Sequence, residues 1–220
     1  MTLDELIEKR NTTLKYTNKK VSYENLNKII DSAIPSPSAK NRQPWRFYIL
    51  TNEQKNYIAD KMDSWINNTG LVTTINRSAN LLRTVGNCIL IYSNKWDSNN
   101  IDIIKEPQKL LNGEDIENMV VMHDYYFDRI KADILSVGAA VENMILKATE
   151  LNIDTTWLCD ILFIDDVINK YLNLENMELI CGLALGYKAV TPVKKGRFKK
   201  EFLILGDKDE QRKLFKEDKG

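Results

Sequence analysis

Residues 34–50 read Ile34-Pro35-Ser36-Pro37-Ser38-Ala39-Lys40-Asn41-Arg42-Gln43-Pro44-Trp45-Arg46-Phe47-Tyr48-Ile49-Leu50. Two kinds of sequence meet here. The first is polar and stiffened by Pro35, Pro37 and Pro44. The second, from Trp45 to Leu50, is apolar enough to enter a buried sheet. Proline has no N–H and pushes the preceding residue out of the helical region, which predicts extended backbone at Ser36 and Gln43. A stiff loop carrying Ser36, Ser38, Asn41, Arg42 and Gln43 holds many donors and acceptors in fixed places. Such a loop suits a planar heterocycle with polar edges.

Outward from this loop, the whole chain is 220 residues, the size of one full core with at most short appendages. Lysines plus arginines and aspartates plus glutamates number 31 each, so the net charge is zero and gives no global pull toward nucleic acid or an anionic membrane. No apolar run approaches the roughly 20 residues of a membrane helix. The N-terminus, Met1 to Arg10, is acidic and amphipathic, unlike a signal peptide, which predicts a cytoplasmic protein. Cys88, Cys159 and Cys181 are odd in number and far apart, as buried reduced thiols are. The single histidine, His123, cannot build a His-based metal site alone, and we assign no metal.

The patterning predicts alternating helices and strands in a single domain. Thr2 caps a short helix to Arg10, and Ser22 caps a second to Ala33, with Leu26, Ile29 and Ile30 on one face. Asn52 is expected to cap a helix reaching about Trp65, and Arg77 to Val85 forms another. Asn87 to Tyr92 and Glu178 to Tyr187 are compact apolar runs with the character of buried strands. Residues 93–131 form a variable excursion that could be a substrate lid, containing a helix over 114–131 with Met119, Met122, Tyr125, Tyr126 and Phe127. Asp133 to Leu151 is the strongest helix: Val137, Val141, Met144, Ala148 and Leu151 make one continuous seam. Its Gly138, Ala139 and Ala140 allow another backbone close by. Asp165 is expected to cap the next helix. Phe202 to Leu205 reads as a short strand, and Asp207 to Gly220 as a charged tail.

Three stretches could carry chemistry. Arg10 offers a bidentate fork and Thr12 a hydroxyl, enough to hold a phosphate, though by composition alone this is a solvated helix end. The basic loop at 191–200 (T-P-V-K-K-G-R-F-K-K) has the same two readings. Ile153 to Asp160 (I-D-T-T-W-L-C-D) places Thr156, Trp157, Leu158 and Cys159 after the long helix. No G-x-G-x-x-G and no G-x-x-x-x-G-K-S/T is present, so neither a Rossmann nor a P-loop site is indicated.

Taken in order, these stretches resemble the FMN-dependent nitroreductase family. Pro37, Ser38, Asn41, Gln43, Pro44 and Trp45 match its P-S-x-x-N-x-Q-P-W. Gly138, Ala139, Ala140, Asn143, Leu146 and Ala148 match its G-A-A-x-x-N-x-x-L-x-A. Thr156, Trp157 and Leu158 match its G-x-G-T-x-W-I-G, with Cys159 where glycine is usual. Arg10 and Thr12 match two positions of R-R-S-x-R, while Asn11 and Leu14 depart from it.

The resemblance implies an α+β fold with a small mixed sheet flanked by helices, as an intertwined homodimer with FMN at the subunit interface. Arg10, Asn11 and Thr12, with Lys195 and Arg197, would hold the FMN phosphate, and Lys15, Lys195 or Arg197 would replace the cation missing at Leu14. Pro37, Ser38, Ala39, Asn41 and Gln43 would reach the flavin across the dimer. Thr156, Trp157, Leu158 and Cys159 would face its ring, and a left-handed backbone at 159 would disfavour cysteine. The implied activity is ping-pong hydride transfer from NAD(P)H through flavin N5 to a small organic acceptor, with water supplying protons and no side chain assigned as catalytic acid or base. The alternatives are a same-fold FMN enzyme with different chemistry (reductive dehalogenation, flavin breakdown) and a flavin-binding or storage protein without turnover.

Overall fold

The apolar runs at 87–92 and 178–187 become the two central strands of the molecule. The computed structural model describes residues 1–69, 74–94 and 117–198. Its sheet contains β1 (Arg46–Ile49), β2 (Asn87–Asn94), β3 (Asp154–Leu158) and β4 (Met177–Gly186) in the order β1-β2-β4-β3. All neighbouring strands pair antiparallel. A mixed sheet is the expectation, but the four strands are all antiparallel; among the described residues the one parallel pairing is an isolated bridge from Thr12, outside the strands, to Thr155.

β2 and β4 lack a polar-apolar alternation because helices cover both sheet faces. Successive side chains point to opposite faces, so both sets must be apolar. On one face, Leu90, Tyr92 and Ala184 join Ile58 and Met62 of α3 (Asn52–Thr69), Leu82 of α4 (Ile75–Thr84), Ile161 of a 3-10 turn (Asp160–Ile164) and Ile168 of the helix that follows it. On the other, Ile89, Ile91, Cys181, Leu183 and Leu185 meet Ile29 of α2 (Tyr23–Asp31) and the seam of α5 (Glu117–Glu150). Each such large apolar side chain contributes roughly 1.5–3 kcal/mol on burial. Ile168 belongs to α6 (Asp165–Leu172). The remaining helix, α1 (Leu3–Lys9), buries none of its residues and leaves Leu3 and Ile7 exposed.

Of the expected seam of α5, Val137, Val141, Met144 and Ala148 are buried, while Leu151 lies just past the helix end and is half-buried against the same core. Two expectations about this helix change. It runs unbroken through 131–133, where Lys131, Ala132 and Asp133 include no glycine or proline to end it. And Gly138 packs against no backbone of its own chain: a Cβ built there meets nothing within 4 Å.

Caps follow side-chain geometry more than residue type. Thr2 and Ser22 cap α1 and α2 as expected, Thr2 with a reciprocal bond from Glu5. For α3 the cap is Thr51, not Asn52. Its hydroxyl accepts from the Gln54 N–H at 3.2 Å, and Gln54 Oε1 accepts from the Thr51 N–H at 2.8 Å, because a box needs its Gln or Glu three residues on. Asp165 falls inside α6, with Ile164 at the cap position. Among the described residues no helix is long and apolar enough to cross a membrane. The expected strand at 202–205, the tail from 207, most of the excursion at 93–131 and the side chains of 117–129, His123 included, lie outside the described residues.

Candidate functional site

The segment after α1 is threaded between β3 and the chain leaving β4. The Thr13 N–H donates to the Thr155 carbonyl at 3.1 Å, and the Ala189 N–H to the Lys15 carbonyl at 2.9 Å. Beneath, the Tyr16 and Thr156 hydroxyls lie 2.8 Å apart, and the Thr156 hydroxyl donates to the Thr13 carbonyl. Burial raises the Tyr16 phenol, so Tyr16 stays neutral as a structural donor. This anchoring holds the residues of 10–15 at a fixed place over the sheet edge.

A cleft of about 510 Å³ opens there, lined by Arg10, Asn11, Thr12, Lys15, Lys195 and Arg197 together with Arg77 of α4. The sequence-predicted phosphate residues therefore do converge. Lys194 of the same loop also lines the cleft, but its ammonium is paired: it binds the Glu8 carboxylate and, at 3.0 Å, the Glu8 carbonyl. That hydrogen bond, with the ammonium charge, holds the Glu8 carboxyl below its ordinary range. Arg77 was not singled out from the sequence. Nothing local marks it, since it reaches the cleft only because α4 packs on α3 and the 3-10 turn.

A second cleft of about 200 Å³ continues from the first and shares Thr12, Leu14 and Arg77 with it. Its wall is the end of β3 and the following turn, Thr156 to Asp160. The Ser78 hydroxyl donates to Asp160 at 2.7 Å across this space. Strand alternation divides the four expected ring-facing residues. Thr156 and Leu158 turn into the core at 5% and 2% exposed, whereas Trp157 is 40% exposed and Cys159 is exposed. Thr156 and Leu158 can therefore offer backbone groups but not free side chains. Cys159 has φ −98°, an ordinary conformation, so its replacement of glycine carries no backbone cost.

The proline loop is built differently from its sequence expectation. Gln43 has φ 50° and is not extended, and Lys40 and Asn41 lie at φ 52° and 53°. Three hydrogen bonds outweigh the local preference at Gln43. Its N–H donates to Ser38 Oγ at 3.1 Å, its side chain to Asn41 Oδ1 at 3.2 Å, and its carbonyl accepts from Arg46 at 3.1 Å. Three non-glycine residues with positive φ in so short a loop are the kind of strain that ligand clamps hold. Pro37, Ser38, Ala39, Asn41 and Gln43 line neither of the two clefts in their own chain.

The thiols separate cleanly. Cys88 and Cys181 are buried, and burial pushes both up to about 12. Cys159 is raised too, by burial first and then by the neighbouring Asp160 carboxylate, so it is no activated thiolate. We expect a thiol reagent at neutral pH to titrate one cysteine in the folded chain and all three in denaturant. Titration of all three without denaturant would refute the packing of β2 and β4. Among the described residues no group of three His, Cys, Asp or Glu gathers to hold a metal ion.

The chain matches the model of the Nitroreductase family over residues 7–187. No curated protein matches it. Among solved structures, a nitroreductase named CinD from Lactococcus lactis, in complex with chloramphenicol, superposes with TM-score 0.70 at 17% identity, covering 94% of this chain and 100% of that one. A BluB-like flavoprotein from Clostridium difficile gives 0.69 at 22% identity, with 94% and 100% covered. A Desulfovibrio desulfuricans protein, described as a nitroreductase and solved with FMN, gives 0.67 at 20% identity, with 94% and 97% covered.

Proposed function

The chain belongs to the nitroreductase family, and on that premise we propose that it is an FMN-dependent oxidoreductase. It takes hydride from NAD(P)H and passes it to a small organic acceptor such as a nitroaromatic or a quinone. The observation that carries this reading is the pair of joined clefts, one cationic and one walled by the end of β3, meeting at Thr12, Leu14 and Arg77.

The residues fit the group. A phosphate dianion is matched by Arg10, Arg77, Lys195 and Arg197, with the Thr12 hydroxyl as a further donor. A flat ring system fits the adjoining space beside Trp157, where the backbone of 157–159 offers hydrogen-bonding groups at its edge. Bound FMN supplies hydride acceptance and donation at N5 in two successive half-reactions, which is why the chain needs no catalytic acid or base of its own. The protein orients the cofactor and limits water, and solvent supplies the protons.

The second part of the reading is a homodimer. Leu135 and Ile134 of α5 are 74% and 44% exposed, and Gly138 on the same side faces open space. A partner's α5 laid on this face would cover them. It would also bring Pro37, Ser38, Ala39, Asn41 and Gln43, which line neither cleft of their own chain, toward the partner's flavin. We place this dimer in the cytoplasm, where its reduced thiols and NAD(P)H belong together.

The test is the visible spectrum of the purified protein before and after anaerobic NADH or NADPH. Flavin absorbance that bleaches and returns with an acceptor is the expected result. A yellow protein that never bleaches would favour flavin binding without turnover. A colourless protein that takes up no added FMN would overturn the cofactor assignment.

A further inference from the structure

The strained loop at 38–43 is not held by its own sequence alone. Three contacts tie it and its approach to α5. Arg42 donates through Nε at 3.0 Å and Nη2 at 2.6 Å to one oxygen of Asp133. The Ala39 N–H donates to Ser136 Oγ at 3.3 Å, and that hydroxyl is itself fixed by donating to the Ala132 carbonyl at 2.6 Å. Asn143 Nδ2 donates to Ser36 Oγ at 2.7 Å. The ion pair is largely out of water, the two side chains being 16% and 3% exposed. Beside these ties, Lys40 and Asn41 between Ala39 and Arg42, and Gln43 next to Arg42, keep a backbone conformation that L-residues seldom adopt.

A buried ion pair is seldom the best way to stabilise a fold, because two charges must be stripped of water. Its worth here is geometric. A guanidinium with two N–H groups on one carboxylate fixes both distance and direction, which an apolar contact does not. We propose that Arg42 and Asp133 are positioning residues that hold the loop in its flavin-receiving shape before any ligand arrives. The seat is then preformed on α5, and binding loses less affinity to ordering the loop. This rests on the proposal that residues 37–43 contact FMN.

The test uses the double substitution Arg42→Met/Asp133→Leu, which removes the two charges of the pair together. Two measurements are made on the full chain: amide hydrogen exchange without FMN, and FMN affinity by quenching of flavin fluorescence. We expect amides of 39–43 to exchange about tenfold faster or more while those of β2 and β4 are unchanged, since the loop opens locally. FMN should bind about tenfold more weakly. Ser136→Ala, which removes the tie to Ala39 together with the hydroxyl's bond within α5 and leaves the ion pair in place, should show the same pattern at smaller size, and it decides the matter if the double variant does not fold. Unchanged exchange at 39–43 overturns the proposal. So does loop exchange that rises only together with that of the sheet, which marks a structural pair. A freed loop with unaltered FMN affinity overturns its role toward the flavin. An unsubstituted chain that binds no FMN would instead sink the cofactor reading, and the exchange measurement would still decide the clamp.

Discussion

Replacing Arg77 with alanine is expected to weaken FMN binding by about 10–100-fold, the loss of a charge-assisted contact worth roughly 1.5–3 kcal/mol. Leu14 stands where the family resemblance leads one to expect a cation, and the joined clefts show a different source of charge. Arg77 lines both of them, at the point where a phosphate and a ring system would meet. It also lies in the first turn of α4, where the helix end adds positive character. Arg77→Lys should fall between the two, because an ammonium keeps the charge and loses the planar fork. Lys15→Ala should matter less, since Lys15 lines only the first cleft and its ammonium has no planar fork. The check is titration with FMN, read by fluorescence quenching at low and high ionic strength. An Arg77→Ala chain that binds FMN within about twofold of the unsubstituted one would leave the phosphate to Arg10, Lys195 and Arg197.

Leu135→Asp should dissociate the proposed dimer. The core face of α5 is closed by Val137, Val141, Met144 and Ala148, so the substitution leaves the monomer's core untouched. The opposite side exposes Leu135, and a two-fold interface would bury the new carboxylate once in each subunit. An unpaired carboxylate stripped of water costs several kcal/mol, so the dissociation constant should rise by about a thousandfold or more. Sedimentation velocity reads the outcome as a shift from dimer to monomer. FMN affinity should fall with it, because the loop residues offered by the partner would be lost. A variant that remains dimeric would place the interface elsewhere; a monomer that keeps full FMN affinity would place the whole flavin site within one chain.

What could be read from the sequence was periodic or local. The seam of α5, the caps at Thr2 and Ser22, and the buried runs of β2 and β4 all follow from rules that span a few residues. Periodicity reports which face of an element is buried, and cap chemistry reports where a helix starts. The family motifs extended this to a candidate site, and Arg10, Thr12, Lys195 and Arg197 do line one cleft. The tertiary structure decided what depends on distant segments meeting. Arg77 enters the cleft through helix packing. Arg42 finds Asp133 across 91 residues of chain, and Tyr16 finds Thr156 across 140. The positive φ of Gln43 rests on Ser38, Asn41 and Arg46, against the preference set by Pro44 alone. The inward turn of Thr156 and Leu158, and the ordinary φ at Cys159, follow from the register of β3 on β4. A local preference is worth about a kilocalorie per mole or less per residue, so a few hydrogen bonds from elsewhere in the fold can reverse it.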